Sequence, residues 1–271
     1  MRRQLHSMYN SLKNWITPGL RNSQFTYRDK LTECLRPEIT WLDLGCGHNL
    51  LPAWMPNALQ DERRLVASCG KVVGIDADFE NLRIHESIEQ RVIGNIEQLP
   101  FNDNAFDLIT ANMVVEHVEN PSPLLREIHR VLRPGGVFLF HTPNFWGYTT
   151  LLSAFLPDFM KVALAKWLQG RASEDVFPTR YRLNTNSAVL SVAAQQHFEI
   201  AEISLVESSA QTVMMGPVVA FELLWIRLLR LSFMARLRTN LIVKLQKTKI
   251  PQGPNAAIKL TNGAPASSRV H

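Results

Sequence analysis

Ile39-Thr40-Trp41-Leu42-Asp43-Leu44-Gly45-Cys46-Gly47 decides the fold. A short apolar run forms a strand. The glycines at its end turn the chain tightly and let the backbone approach a ligand. Downstream, Lys71-Val72-Val73-Gly74-Ile75 is a second strand that ends on Asp76. Arg91-Val92-Ile93, Phe106 to Thr110 and Gly136 to Phe140 read as three more. Helical stretches at Ala53 to Val66, Phe79 to Ile88 and Pro123 to Leu132 separate them. Strands alternating with helices at this spacing predict parallel βαβ units in a doubly wound sheet.

Beyond Pro143 the alternation loosens. Thr149 to Leu168 is expected to be helical, Phe198 to Val206 alternates as a strand, and Pro217 to Leu237 is helical and very apolar. Leu241 to Leu245 then closes the sheet at seven strands. The predicted fold class is therefore α/β: a mostly parallel seven-stranded, Rossmann-like αβα sandwich with C-terminal helical additions. The expected division is a helical extension over 1–38, a catalytic body over 39–247 and a disordered tail over 248–271. That tail is rich in Pro, Gly, Ala, Ser and Asn. Within the body, 39–145 is the cofactor half and 146–238 supplies acceptor and lid elements.

The 271 residues, 46% hydrophobic and 20% charged, suffice for one large core. Cys34, Cys46 and Cys69 are too few and too scattered for a disulfide framework. With no CxxC pair to suggest zinc, no metal is expected and the setting reads as reducing and cytoplasmic. The run Met1-Arg2-Arg3 is not followed by an apolar signal region, and no stretch of 18 uncharged apolar residues occurs. The net charge of +5 is uneven: Glu207 to His271 carries nine Lys/Arg against two Asp/Glu, so the basic character belongs to the C-terminal region.

In open α/β sheets ligands sit at the carboxyl ends of the strands. Asp43, two residues before Gly45, is placed to face a ligand ammonium group. Asp76 is placed to accept both hydroxyls of a ribose, or is simply a solvated strand-end carboxylate. A nicotinamide fingerprint fails, because Leu50 stands where its last glycine belongs.

These residues carry a resemblance. Trp41 to Gly47 resembles the first motif of class I S-adenosylmethionine-dependent methyltransferases, and Val73-Gly74-Ile75-Asp76 the acidic loop after it. Gly94-Asn95-Ile96-Glu97-Gln98-Leu99-Pro100-Phe101 resembles the adenine-binding segment. Phe106 to Asn112 with Glu116-His117-Val118 resembles the fourth motif, and Arg130 to Gly136 the turn before the fifth strand. The resemblance covers 39–145 and is greatest to the "type 11" small-molecule group, which includes ubiquinone-biosynthesis enzymes. It implies S-adenosyl-L-methionine as cofactor. Asp43, Gly45, Cys46 and Gly47 would line its methionine part, with Asp76 and Ala77 at the ribose. Asn95 and Ile96 would meet the adenine, and Asn112 would border the methionine end. Three departures stand out: Asn49 replaces the usual third glycine, Asp43 and Asp76 lie further apart than usual, and Asn95 replaces a commoner Asp. The wide spacing implies an insertion within Pro52 to Ala67.

Methyl transfer from a sulfonium is an in-line displacement, so positioning supplies much of the acceleration. A base is needed only where the acceptor must lose a proton. His117 is the candidate base, unless it and Glu116 merely orient the next helix; His141 and Asn144 lie at the same edge. The fourth motif lacks the Pro-Pro-Tyr/Phe of enzymes that methylate exocyclic amines, and no Pro-Cys pair marks cytosine-C5 chemistry. No nucleic-acid module is recognisable. The expected acceptor is a small molecule or a lipid- or glycan-linked metabolite. Arg180-Tyr181-Arg182 is either a clamp for an anionic or sugar acceptor or a solvated loop. The helix over 217–238 is either a lid packed on the sheet or an interfacial helix on anionic lipid, which would place the protein at the inner membrane surface. A non-catalytic partner of the same fold and an RNA methyltransferase are the alternative readings.

Overall fold

The computed structural model describes residues 2–155, 178–213 and 217–248. Parts of the helix expected over 149–168, of the segment from Asp175 and of the tail from 248 lie outside them.

Seven strands form one sheet: β1 (Thr40–Leu44), β2 (Lys71–Asp76), β3 (Gln90–Ile93), β4 (Phe106–Asn112), β5 (Leu132–Pro143), β6 (Phe198–Val206) and β7 (Asn240–Lys247). Their order is β3-β2-β1-β4-β5-β7-β6. The first five pair in parallel, and β7 runs antiparallel to both β5 and β6. The order of winding reverses between β1 and β4: β2 and β3 follow on one side of the pair and β5 on the other. A sheet of this kind opens a crevice there, at the strands' carboxyl ends.

Side chains alternate across the sheet as the strand period demands. Leu42, Leu44, Ile109, Phe138 and Phe140 join one apolar layer, while Trp41, Leu108, Leu139 and Ile242 join the other. Asp43 takes a Trp41-type position, so a carboxylate is carried into the interior.

Helices α1 (Arg2–Ile16) and α2 (Ser23–Cys34) precede the sheet. The sequence assigned 1–38 to an extension, yet Tyr27, Leu31 and Leu35 of α2 pack into the second apolar layer. Next come α3 (Ala58–Ala67), α4 (Phe79–Arg83) and α5 (Pro121–Val131), which connect the parallel strands. The first two are shorter than the periodicity predicts: α3 starts only after Pro52 and Pro56, and α4, capped by Asp78, ends at Arg83. After β5 follow α6 (Tyr148–Phe155), α7 (Asn186–Gln195), which the sequence reading missed, and α8 (Val218–Leu229). The helix expected over 217–237 breaks at Arg230, and Ser232–Leu237 continues as a 3-10 turn.

The apolar helix α8 does not lie on the sheet. Val219, Leu223 and Ile226 pack against Tyr9, Ile16 and Leu20 of the α1 region. Glu222, buried beside them, accepts from Tyr148 Oη (2.6 Å) and from the Gln211 and Thr212 amides (2.8 Å each). With Thr212 Oγ1 as a fourth donor, the buried carboxylate is well compensated and ties α8 to α6 and to the 211–212 loop.

Candidate active site

The glycine loop after β1 is built to stay open. Gly45 has φ +61 and Gly47 φ +53, a conformation that costs a side-chain-bearing residue about 1–2 kcal/mol. A Cβ on Gly45 would lie 2.6 Å from Val114 Cγ2. The amide of Gly45 donates to Ile75 O (2.8 Å), and that of Gly47 donates to Asp76 Oδ2 (2.8 Å). The acidic strand end thus fixes the glycine turn directly. Asp76 Oδ1 accepts from Asp78 N (2.9 Å), so both carboxylate oxygens are oriented by backbone amides. Asn49 is not among the residues with positive φ, so the turn needs no third glycine.

Cys46 points inward, where the missing side chain of Gly74 leaves room: a Cβ there would sit 2.6 Å from its Sγ. Burial pushes the Cys46 thiol far above its ordinary range. It is a packing residue of the loop.

Asp43 is 5% exposed and accepts a short hydrogen bond from Thr110 Oγ1, which also accepts from Trp41 Nε1 (2.6 Å). Burial pushes its pKa up to about 7, with Thr110 opposing and the charges of Asp76 and Glu62 adding to the rise. Ala77 is exposed at the turn after β2. Asn95 is exposed too, and its Oδ1 accepts from Glu97 N (2.9 Å). The carbonyl expected to read the adenine therefore already holds the local turn, while the half-buried Ile96 packs against the first apolar layer.

Asn112 ends β4, bonded on both sides. Its Nδ2 donates to Gln24 Oε1 (2.9 Å), and its Oδ1 lies 2.9 Å from His141 Nδ1. Met113 follows with φ +60, an uncommon conformation for a side chain, held by its amide donating to His141 O (2.8 Å). Val114 then packs over Gly45.

Met113 faces the other way, into a cavity of about 580 Å³ at the carboxyl ends of β4 and β5. The N-terminus of α2, the start of α6, the 208–211 loop and the start of β7 form its walls, together with Pro52 and Trp54 from the inserted segment. Sequence spacing located that insertion without showing what it builds. Leu50, Leu51 and Met55 bury it, and Glu62 fixes it by accepting from Leu51 N (2.9 Å) and Ser87 Oγ (2.6 Å).

His117 does not line this cavity; its Nδ1 lies 3.1 Å from Pro178 O. Glu116 is buried beneath it, accepts from Thr142 Oγ1 (3.0 Å), and has its pKa pushed up to about 7 by burial. The Glu116 carbonyl accepts from the Arg180 and Tyr181 amides, so this segment brings Tyr181 to the cavity wall. Arg180 instead pairs with Glu119 (3.5 Å). Asn144 is not a site residue here: its Nδ2 donates to Arg236 O (2.9 Å) and Arg238 O (2.6 Å), closing the chain beside β7. Among the described residues, no cluster of His, Cys, Asp and Glu could hold a metal ion.

A family model described as a methyltransferase domain matches residues 42–140. The 2-phytyl-1,4-naphtoquinone methyltransferase of Nostoc sp. is 32% identical over 173 residues, covering 58% of this chain and 70% of that enzyme. This chain belongs to the class I S-adenosylmethionine-dependent methyltransferases. The demethylmenaquinone methyltransferase of Geobacillus stearothermophilus is 34% identical over 42% of this chain and 56% of its own length. A transposon-borne protein of Streptomyces fradiae is 30% identical, with 36% of its length spanned. An S-adenosylmethionine-dependent methyltransferase from Mesorhizobium loti shares the fold, with a TM-score of 0.51 at 19% identity. The match covers 81% of this chain and 96% of that one. In the methyltransferase's loop a Cβ at Gly47 would meet nothing within 4 Å, so open space for the family's cofactor lies beside Gly47 and Asp76.

Proposed function

We propose that this methyltransferase moves a methyl group from S-adenosyl-L-methionine to a small-molecule or lipid- or glycan-linked acceptor bound in the cavity beside Met113. The observation that carries this reading is the shared wall. Val114 packs on the cofactor loop at Gly45 and its neighbour Met113 lines the cavity, so donor and acceptor would meet across one turn of backbone. The cofactor supplies an activated methyl group on sulfur. The protein's part is to hold and align. Asp43, Gly45, Cys46 and Gly47 would frame the methionine portion, Asp76 and Ala77 the ribose, and Asn95 and Ile96 the adenine. Asn112 would act at the methionine end through its bond to His141.

Calorimetry with S-adenosylmethionine and S-adenosylhomocysteine tests the cofactor assignment. Asp76→Ala removes a carboxyl acceptor and frees the Gly47 amide, so affinity should fall about 100-fold. No binding by the folded wild-type protein would overturn the reading.

His117 is proposed as a positioning residue that holds the Pro178–Tyr181 segment, rather than as the base the sequence suggested. His117→Gln should then raise the acceptor KM while leaving kcat and its pH profile in place. Loss of the kcat limb in that variant would restore the role of base.

A second reading concerns the outer face of α8. Phe221, Leu224 and Leu228, then Leu231 and Phe233, are exposed, and Trp15 of α1 is 79% exposed beside them. Arg227 and Arg230 border this apolar surface, as an interfacial helix on anionic lipid requires. No helix among the described residues is long and apolar enough to cross a membrane. Flotation with phosphatidylglycerol vesicles should carry the wild-type protein upward and leave Phe221→Asp/Phe233→Asp behind. Equal behaviour of the two proteins would remove membrane contact from the proposal.

A further inference from the structure

The cavity's chemistry narrows the acceptor, given the proposed function. Of the seventeen described residues that line it, eleven carry a neutral amide or hydroxyl, and none is Asp, Glu, Lys or Arg. Its one imidazole, His141, is 1% exposed and stacked on Tyr27 at 5.5 Å. Burial pushes the His141 pKa down to about 3, opposed by the neighbouring Asn240 amide, so the ring is neutral at physiological pH. The Gln24–Asn112–His141 chain of bonds places the ring proton on Nδ1 and the lone pair on Nε2. Among the described residues Nε2 has no hydrogen-bonding partner.

Three arginines that adjoin wall residues in sequence are held in ion pairs. Arg21 pairs with Asp29 (2.9 Å), Arg180 with Glu119 (3.5 Å) and Arg238 with Glu207 (3.4 Å). Among the described residues that line the cavity, an anionic or cationic acceptor would therefore meet no ion-pair partner. An apolar ring would strip water from the amides and hydroxyls and give nothing back, at about 1–3 kcal/mol for each group left unpaired. What complements such a wall is an uncharged molecule that presents several hydroxyls on a rigid frame. Trp54 adds the other half: its side chain is 55% exposed and lines the cavity. An indole face carries partial negative charge and attracts the weakly positive C–H face of a saturated ring.

We propose that the cavity is a subsite for an uncharged sugar ring, with Trp54 under its C–H face and Asn22, Gln24, Thr150, Ser208 and Asn240 among the groups that meet its hydroxyls. This names the acceptor class for the function proposed above and so rests on it. Most of the cavity's wall lies outside residues 42–140, the part that the family's domain covers.

The test is saturation-transfer-difference NMR with calorimetry on the full chain, with and without saturating S-adenosylhomocysteine. The probes are the methyl glycosides of glucose, galactose, mannose, rhamnose, fucose and xylose, set against glucuronic acid, glucose 6-phosphate and 1,4-dihydroxynaphthalene. At least one methyl glycoside should bind in the millimolar range. Trp54→Ala should weaken it about tenfold, and Trp54→Phe should restore part of the loss. Both variants should keep wild-type affinity for S-adenosylhomocysteine, which shows that they fold. The charged sugars and the naphthalene diol should bind about tenfold more weakly than the best glycoside. The proposal is overturned if no glycoside binds, or if a charged sugar or the diol binds more tightly than all of them. Failure of S-adenosylhomocysteine to bind would count against the cofactor assignment instead, and the arm without it still reads the cavity alone.

Discussion

Gly45→Ala is expected to reduce S-adenosylmethionine affinity about 100-fold or more and to lower stability by about 2–3 kcal/mol. Two causes act together. The backbone at Gly45 has φ +61, and the new Cβ would fall 2.6 Å from Val114 Cγ2. If Val114 gives way, the strained Met113 turn moves with it, and the wall between cofactor and acceptor is lost. The double variant Gly45→Ala/Val114→Ala separates the causes. It should recover the steric part of the loss and keep the conformational part. Calorimetry and thermal unfolding on the three proteins measure this, and a Gly45→Ala protein with wild-type affinity would show that the loop does not frame the cofactor.

The contribution of Asp43 and Glu116 to stability is expected to fall as pH rises from about 4 to about 7, while the buried His85 and His141, whose pKa values burial pushes down, act in the opposite sense over the same range. Asp43 and Glu116 both have their pKa pushed up to about 7 by burial, from ordinary values of 3.8 and 4.5. Each is protonated in the fold at pH 5 but ionised in the unfolded chain. Their contribution is fully present below pH 4 and is lost as pH climbs through the folded-state value. The effect is on the order of a few kcal/mol for each carboxyl. Urea unfolding across this range should show the decline as a difference: the stability of the wild type relative to Asp43→Asn and to Glu116→Gln should fall as pH rises. Cofactor binding adds a second sign. A ligand ammonium beside Asp43 favours the ionised carboxylate, so binding at pH 6 should release a proton, visible as a dependence of binding heat on buffer. Variant curves that run parallel to the wild type's between pH 4 and 7 would mean that these carboxyls ionise freely.

The cofactor half was legible in the sequence because its signals are local. Apolar runs ending on Gly45 or Asp76 mark strand ends, and the βαβ spacing orders them. The acceptor half was not, because its cavity joins Asn22, Trp54, Met113, Ser208 and Asn240, which no periodicity links. Asn112 reads from sequence as a residue at the strand edge, whereas its bonds to Gln24 and His141 exist only once α2 lies over β5. Glu116 and Glu222 look like ordinary surface carboxylates in the sequence. Their burial depends on Thr142 and on Tyr148, which come from other elements. The apolar helix posed a different difficulty. Its composition allowed a lid or an interfacial role, and only its packing on α1 shows that one face is used and the other left outward.

The strand order has a consequence for biosynthesis. Strand β6 leaves the ribosome before β7, yet β7 lies between β6 and β5. Until residues 240–247 emerge, β6 has no neighbour to pair with and β5 remains an open edge. The cofactor loop depends on strands complete by residue 143, so it can take shape while synthesis continues. Thr239 and Asn240, the last pieces of the cavity wall, arrive with the strand that closes the sheet. A nascent chain would thus complete its glycine loop before its cavity.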